Sequence, residues 1–297
     1  MGRLSDILHL RREAEHHVSD LPALLIKAEK ISANIMHGMH AQRKAGSGEK
    51  FWQFREYQET DRPQDIDWRQ SAKTDQVLVK QREWQTTQRT YLWCASGASM
   101  DFTSNPRHYT KQDTAHIIAL SLALLLRQSE EQIGLFGDLK TGHSEDKIQN
   151  IGQLLLQQSA INAPLPDTTH FALPRHASFI GVGDFLSPME DITRTMASVS
   201  ANAENGLLIQ ILDPAELDLS YKGRVRFRGI EDGELELVNN VSSIRQEYQQ
   251  RINHHTDQVK ALCHEQNWSY ILHNTHDDIA YTLKNIWQLM DSTQVQS

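Results

Sequence analysis

In an open parallel sheet, ligands bind outside the carboxyl ends of the strands, so the residues best placed for chemistry are those that follow the apolar runs. Such runs occupy residues 90–95 (TYLWCA), 131–136 (EQIGLF), 177–183 (ASFIGVG), 206–212 (GLLIQIL) and 268–273 (WSYILH). Ser96 to Met100 follow the first, Gly137-Asp138 and then Thr141 the second, and Asp184 the third. Asp213-Pro214 follows the fourth, and His276, Asp277 and Asp278 come just after His273 at the end of the fifth. A hydroxyl, a carboxylate and an imidazole at strand ends suggest a hydrolase triad of Ser99, Asp184 and His273 or His276. No Gly-x-Ser-x-Gly elbow exposes the serine, which makes this the weakest reading. The 15 histidines include no His-Glu-x-x-His and no spacing that converges three metal ligands. Cys94 falls inside an apolar run and Cys263 inside a helical one, so both read as buried, unactivated thiols. The GSGEK at 46–50 lacks the Gly-Lys-Ser/Thr ending of a phosphate loop.

The elements that must position these residues follow from periodicity. Helical spacing is expected over residues 20–36, 110–129, 144–158, 189–203, 241–266 and 276–290, and the apolar runs between the later helices read as buried strands. Residues 110–129 are apolar nearly all round in their middle, which predicts a buried helix. The alternation predicts an α/β fold, doubly wound, with a mostly parallel sheet and helices on both faces. The runs VRFRGI and LELV predict a hairpin excursion within 213–240. Between Phe51 and Trp84 short aromatic runs are broken by ETDRPQD, as in a small β-rich lobe. The expected organisation is an N-terminal helical segment over 1–45, the β-rich lobe over 46–88 and the α/β domain over 89–292.

Composition bounds the function. An apolar fraction of 39% and a charged fraction of 23% are those of an ordinary globular chain. Residues 1–90 hold 15 Lys+Arg against 13 Asp+Glu, and the rest 15 against 25. An acidic main body argues against nucleic-acid binding. Two distant cysteines exclude a disulfide scaffold and suggest a cytoplasmic setting. No signal peptide and no membrane insertion are expected, because the longest apolar stretch, Ile117 to Leu126, is about half a membrane span.

The most distinctive segment is 48–73, GEKFWQFREYQETDRPQDIDWRQSAK. Gly48-Glu49, Arg55-x-Tyr57, Asp61 and Ile66-Asp67-Trp68-Arg69-x-Ser71-Ala72 are strongly similar to the signature of the bacterial family named domain of unknown function 58. LVKQREW at 78–84, Ser99-Met100, GDFLSP at 183–188 and LDPAELDLSYKGRVRF at 212–227 agree with it. The resemblance covers about residues 25–290. It implies a sheet of von Willebrand factor A type, with the signature lobe before the first core strand. It also implies association with MoxR-type AAA+ ATPases.

Such folds often carry a metal-ion-dependent adhesion site, with Asp-x-Ser-x-Ser after the first strand, a later Thr and an Asp after another strand. In this chain the resemblance puts Ala95 at the aspartate and Gly97 at the first serine. Ser99, Thr141 and Asp184 remain, too few oxygens for Mg²⁺. Ser99 and Asp184 can equally serve their own turns through local hydrogen bonds. No cofactor is expected; Mg²⁺ or Ca²⁺ completed by a partner's carboxylate is the alternative. In the signature, Arg55, Arg62 and Arg69 interleave with Glu56, Asp61, Asp65 and Asp67, which suggests a charged network above packed Trp52, Tyr57, Trp68 and Trp84. Arg55, Tyr57, Asp61, Arg62, Asp67, Trp68 and Arg69 are the candidate interaction residues, and the expected function is that of a non-catalytic adaptor for a protein partner.

Overall fold

The computed structural model describes residues 22–36, 53–58, 62, 64, 66–74, 76–81, 89–129, 131–159, 161–229 and 235–294. Two compact units divide the chain, one within 1–37 and 88–297, the other within 38–87.

In the smaller unit, β1 (Gln53–Glu56) pairs antiparallel with β2 (Leu78–Gln81), and a single helical turn, α2 (Trp68–Ser71), lies between them in sequence.

The larger unit contains α1 (residues 22–36) and a six-stranded sheet. In chain order its elements are β3 (Arg89–Cys94), α3 (Lys111–Gln128), β4 (Gln132–Leu135), β5 (Asp138–Gly142), α4 (Glu145–Ser159), β6 (Ala177–Gly183) and α5 (Met189–Ser200). They continue with β7 (Ala203–Leu212), α6 (Pro214–Asp218), β8 (Val225–Arg228), β9 (Leu235–Val238), α7 (Val241–Glu265), β10 (Ser269–Asn274) and α8 (Ile279–Gln294). The sheet order is β10-β7-β6-β3-β4-β5. All neighbours are parallel except β5, which runs antiparallel to β4. The expected doubly wound, mostly parallel α/β sheet is therefore present. Helices α3, α4 and α8 pack together and α5 packs on α7, giving two helical layers. The strands β8 and β9 form the expected hairpin.

Strand β3 is buried from Thr90 to Cys94 because it has parallel neighbours on both edges and helices on its faces. Helix α3 is buried from Lys111 to Leu126, apart from Asp113, as its all-round apolar middle requires. Its start is set by a capping box in which the Thr110 hydroxyl accepts from Asp113 N and the Asp113 carboxylate accepts from Thr110 N.

The edge strand β5 lies where the sequence reads as a loop. DLKTG has no apolar run, and it becomes a strand because the tight turn at Gly137, with φ of 99°, folds it back onto β4.

Among the described residues, no helix is long and apolar enough to cross a membrane.

Candidate functional site

The chain leaves β3 for β4 on one side, while β6, β7 and β10 extend the sheet on the other. The boundary between β3 and β6 is thus the topological switch point, where an open α/β sheet forms its ligand crevice. The loops after β3 and β6 meet there closely. Ala95 N donates to Val182 O at 2.7 Å, and a Cβ built on Gly183 would lie 2.6 Å from the Ala95 Cβ.

The loop after β3 then doubles back. Lys111 N donates to Phe102 O, and Gln112 N to Met100 O. This return brings the first residue of α3 to the strand ends. The Lys111 side chain is completely buried and its ammonium donates to Asp184 Oδ2 at 3.0 Å and to Glu216 Oε1 at 2.6 Å. Lysine is almost never fully buried unless it is paired. Here two carboxylates from different loops compensate it.

A wider polar network ties these loops together. Glu216 Oε2 accepts from Asp213 N at 2.9 Å, and Asp213 Oδ1 from Ala215 N at 2.8 Å, closing the capping box of α6. Asp213 Oδ2 accepts from Ser104 N at 3.0 Å and from the Thr275 hydroxyl at 3.3 Å. Gln210 Nε2 donates to Asp184 O, and the Tyr270 hydroxyl donates to Gln210 Oε1. Loops after β3, β6, β7 and β10 are therefore joined through buried hydrogen bonds. Burial works to raise the Asp213 carboxyl pKa, but the bonds from Ser104, Ala215 and Thr275 prevail and hold it below the ordinary value. Burial holds the Glu216 carboxyl above its ordinary value in spite of the neighbouring ammonium.

The candidate metal residues do not converge. Asp184 is at the crevice, but its carboxylate carries Lys111. Ser99 is half-buried in the turn after β3, with no side-chain hydrogen bond among the described residues, so it does not cap that turn. Thr141 is misplaced. It lies on β5, with its hydroxyl donating to the Gln132 side chain at 3.2 Å. Gln132 is level with Arg89, the first residue of β3, so Thr141 sits at the amino end of the parallel strands, opposite to Ser99 and Asp184. The cause is the reversal of β5, which carries Thr141 back across the sheet.

Gly97 also cannot be a ligand-bearing residue. Its φ is 130°, and a Cβ there would lie 2.1 Å from Asn162 Oδ1. A hard cation needs several oxygens. Ala95 and Gly97 offer no side-chain oxygen, and the one carboxylate is already ion-paired. The residues present do not fit Mg²⁺ or Ca²⁺. Among the described residues no cluster of three His, Cys, Asp or Glu is arranged for a metal.

The hydrolase triad is not assembled either. His273 is buried with Nδ1 2.8 Å from the Thr282 hydroxyl, and His276 stacks on His108 with ring centroids 3.9 Å apart. Asp184 meets neither imidazole, because its carboxylate is held by Lys111.

In the smaller unit the signature divides by role. Asp67 caps α2, its Oδ1 accepting from Arg69 N at 3.0 Å. Ser71 joins the turn to β2. Its hydroxyl donates to Asp67 O and accepts from Leu78 N, both at 2.8 Å. Arg62 and Arg69 are exposed and form no ion pair among the described residues. Trp68, expected to pack beneath a charged network, is 67% exposed. Tyr57 is half-buried, and its backbone N–H donates to Val77 O at 2.8 Å. Arg55 lies on β1, facing Val79 in the register. Asp61, Asp65, Trp52 and Trp84 lie outside the described residues.

Sequence reading placed Asp213 at a strand end without giving it a role, and it missed Lys111 and Glu216. Two signals for them exist. A lysine at the first position of a helix faces the positive end of the helix dipole, which calls for a carboxylate partner. Asp213-Pro214-Ala215-Glu216 has the spacing of a capping box.

The family described as "Protein of unknown function DUF58" matches residues 53–258. No curated protein matches the chain. Among solved structures, the crystal structure of the conserved hypothetical protein BatB from Bacteroides thetaiotaomicron is similar with a TM-score of 0.37 at 11% identity. That match covers 69% of this chain and 99% of the other.

Proposed function

The chain belongs to the DUF58 family, and from that premise we propose that it is a non-catalytic interaction protein, an adaptor in the cytoplasm for a MoxR-type AAA+ ATPase. The observation that carries this reading is the exposure of Trp68 beside the exposed Arg69 in the signature turn. Tryptophan and arginine are the residues most enriched where protein interfaces concentrate their binding energy. An exposed indole on a turn pinned by Asp67 and Ser71 is pre-organised for a pocket on a partner, so little ordering cost remains. The strand-end crevice supports the same reading. Lys111 pairs with both Asp184 and Glu216, and Asp213 bonds to backbone and Thr275, so a structural use of these groups accounts for each of their contacts.

The test is binding of the full chain to a MoxR-type AAA+ ATPase, with and without nucleotide. Trp68→Ala and Arg69→Ala should each weaken the complex at least about tenfold, a hot-spot loss of ~1.4 kcal/mol or more. No association in any nucleotide state would refute the partner. Association indifferent to both substitutions would refute the surface.

A further inference from the structure

We propose that the Lys111 ammonium is a resident, covalently tethered cation that occupies the strand-end carboxylates in place of a divalent metal and closes the site to such ions. The lack of side-chain oxygens and the presence of a buried cation coincide at one locus. The resemblance puts Ala95 and Gly97 at two ligand positions of an adhesion site, and Gly97 has no room for a side chain. The surviving carboxylate, Asp184, holds the ammonium at 3.0 Å, and Glu216 holds the same atom at 2.6 Å. These are hydrogen-bond distances for an ammonium. Mg²⁺ would hold its oxygens at about 2.0–2.1 Å, so it could approach Asp184 and Glu216 only by displacing Nζ.

Placement of the lysine also points to a dedicated role. A cation at the first residue of α3 opposes the helix dipole, and complete burial strips it of water. Both penalties are tolerable only because two carboxylates converge on it. In return the ammonium does what a metal does in a strand-end site: it bridges the loop after β6, through Asp184, to the loop after β7, through Glu216. It does so in every molecule, with no dependence on ion concentration.

The inference does not rest on the adaptor reading, because its test uses the full chain with no partner present. Melting temperatures are measured in chelator and in millimolar Mg²⁺, Ca²⁺ and Mn²⁺ for the wild type, for Lys111→Met, and for the charge-free triple variant Lys111→Met/Asp184→Asn/Glu216→Gln. Wild type should melt at the same temperature in all of them. Lys111→Met should melt about 6–20 °C lower, as expected when one partner of a buried ion pair is removed from a domain of this size. The triple variant should recover most of that loss, because no buried charge is left unpaired. If Lys111→Met does not fold, folding of the triple variant is the supporting result. Saturable Mn²⁺ binding by the wild type that Asp184→Asn abolishes would overturn the proposal. So would wild-type stability in Lys111→Met, or a triple variant no better than the single one.

Discussion

Acid should destabilise the larger unit through one buried imidazole. His273, near the end of β10, is completely buried, with Nδ1 2.8 Å from the Thr282 hydroxyl of α8. Its Nε2 is buried with no hydrogen-bond partner among the described residues. The neutral ring with the proton on Nδ1 donates to Thr282 and leaves only a lone pair unsatisfied. Protonation at Nε2 would put a charged N–H where nothing accepts it. Burial therefore pushes the pKa down from 6.5 to about 4, against the opposite pull of Asp277 and Asp278. The sign follows directly. Between 6.5 and 4 the unfolded chain binds a proton that the folded chain refuses, so stability is full above pH 6.5 and is lost as the pH falls toward 4. At ~1.4 kcal/mol per pH unit the loss comes to about 3 kcal/mol. That is a large fraction of the ~5–15 kcal/mol by which domains are stable. Urea unfolding, followed by fluorescence of the buried Trp93 and Trp268, measures it at steps from above pH 6.5 down to 4. The control is His273→Asn, whose amide retains the contact with Thr282 but does not titrate. Its cavity adds a cost that does not vary with pH, so the wild-type-minus-variant difference should fall by about 3 kcal/mol across the window. A difference that stays flat would refute the argument.

Two further outcomes follow from packing. Gly206→Ala should cost at least about 3 kcal/mol, or prevent soluble expression, because overpacking cannot be relieved here. The added Cβ would lie 2.0–2.4 Å from ring atoms of Trp268, itself packed on Phe179 with centroids 5.7 Å apart; a thermal melt superimposable on wild type would contradict this. Burial raises both thiol pKa values, that of Cys263 to about 12 and that of Cys94 further still. Neither should react with a thiol reagent at neutral pH until urea is added, and a fast-reacting thiol in the native protein would show that one of them is accessible.

Much of the fold is local and was legible in the sequence. Apolar runs bounded by polar turns mark β3, β6, β7 and β10, and 3.6-residue periodicity marks α3, α5 and α7, because each pattern reflects burial of the element's own face. The same holds for the absence of a side-chain oxygen at Ala95 and Gly97. What sequence reading misplaced depends on neighbours distant in the chain. Thr141 follows an apolar strand and so reads as a strand-end residue, yet the reversal at Gly137 carries it to the other end of the sheet. Trp68 reads as core from its type, but a single helical turn cannot bury both faces, and the indole is left outside.

By itself, the sequence determined that this is a doubly wound α/β protein of the DUF58 family whose first core strand is followed by Ala95 and Gly97, which carry no side-chain oxygen. Only the tertiary structure decided which groups meet at the strand ends. Lys111 lies 73 residues from Asp184 and 105 from Glu216, and no periodicity relates them. They meet because the loop after β3 doubles back to start α3 at the switch point, where the chain's opposite windings bring the loops after β6 and β7 to the same crevice. Desolvation then makes their pairing obligatory, since none of the three charges could be buried there alone.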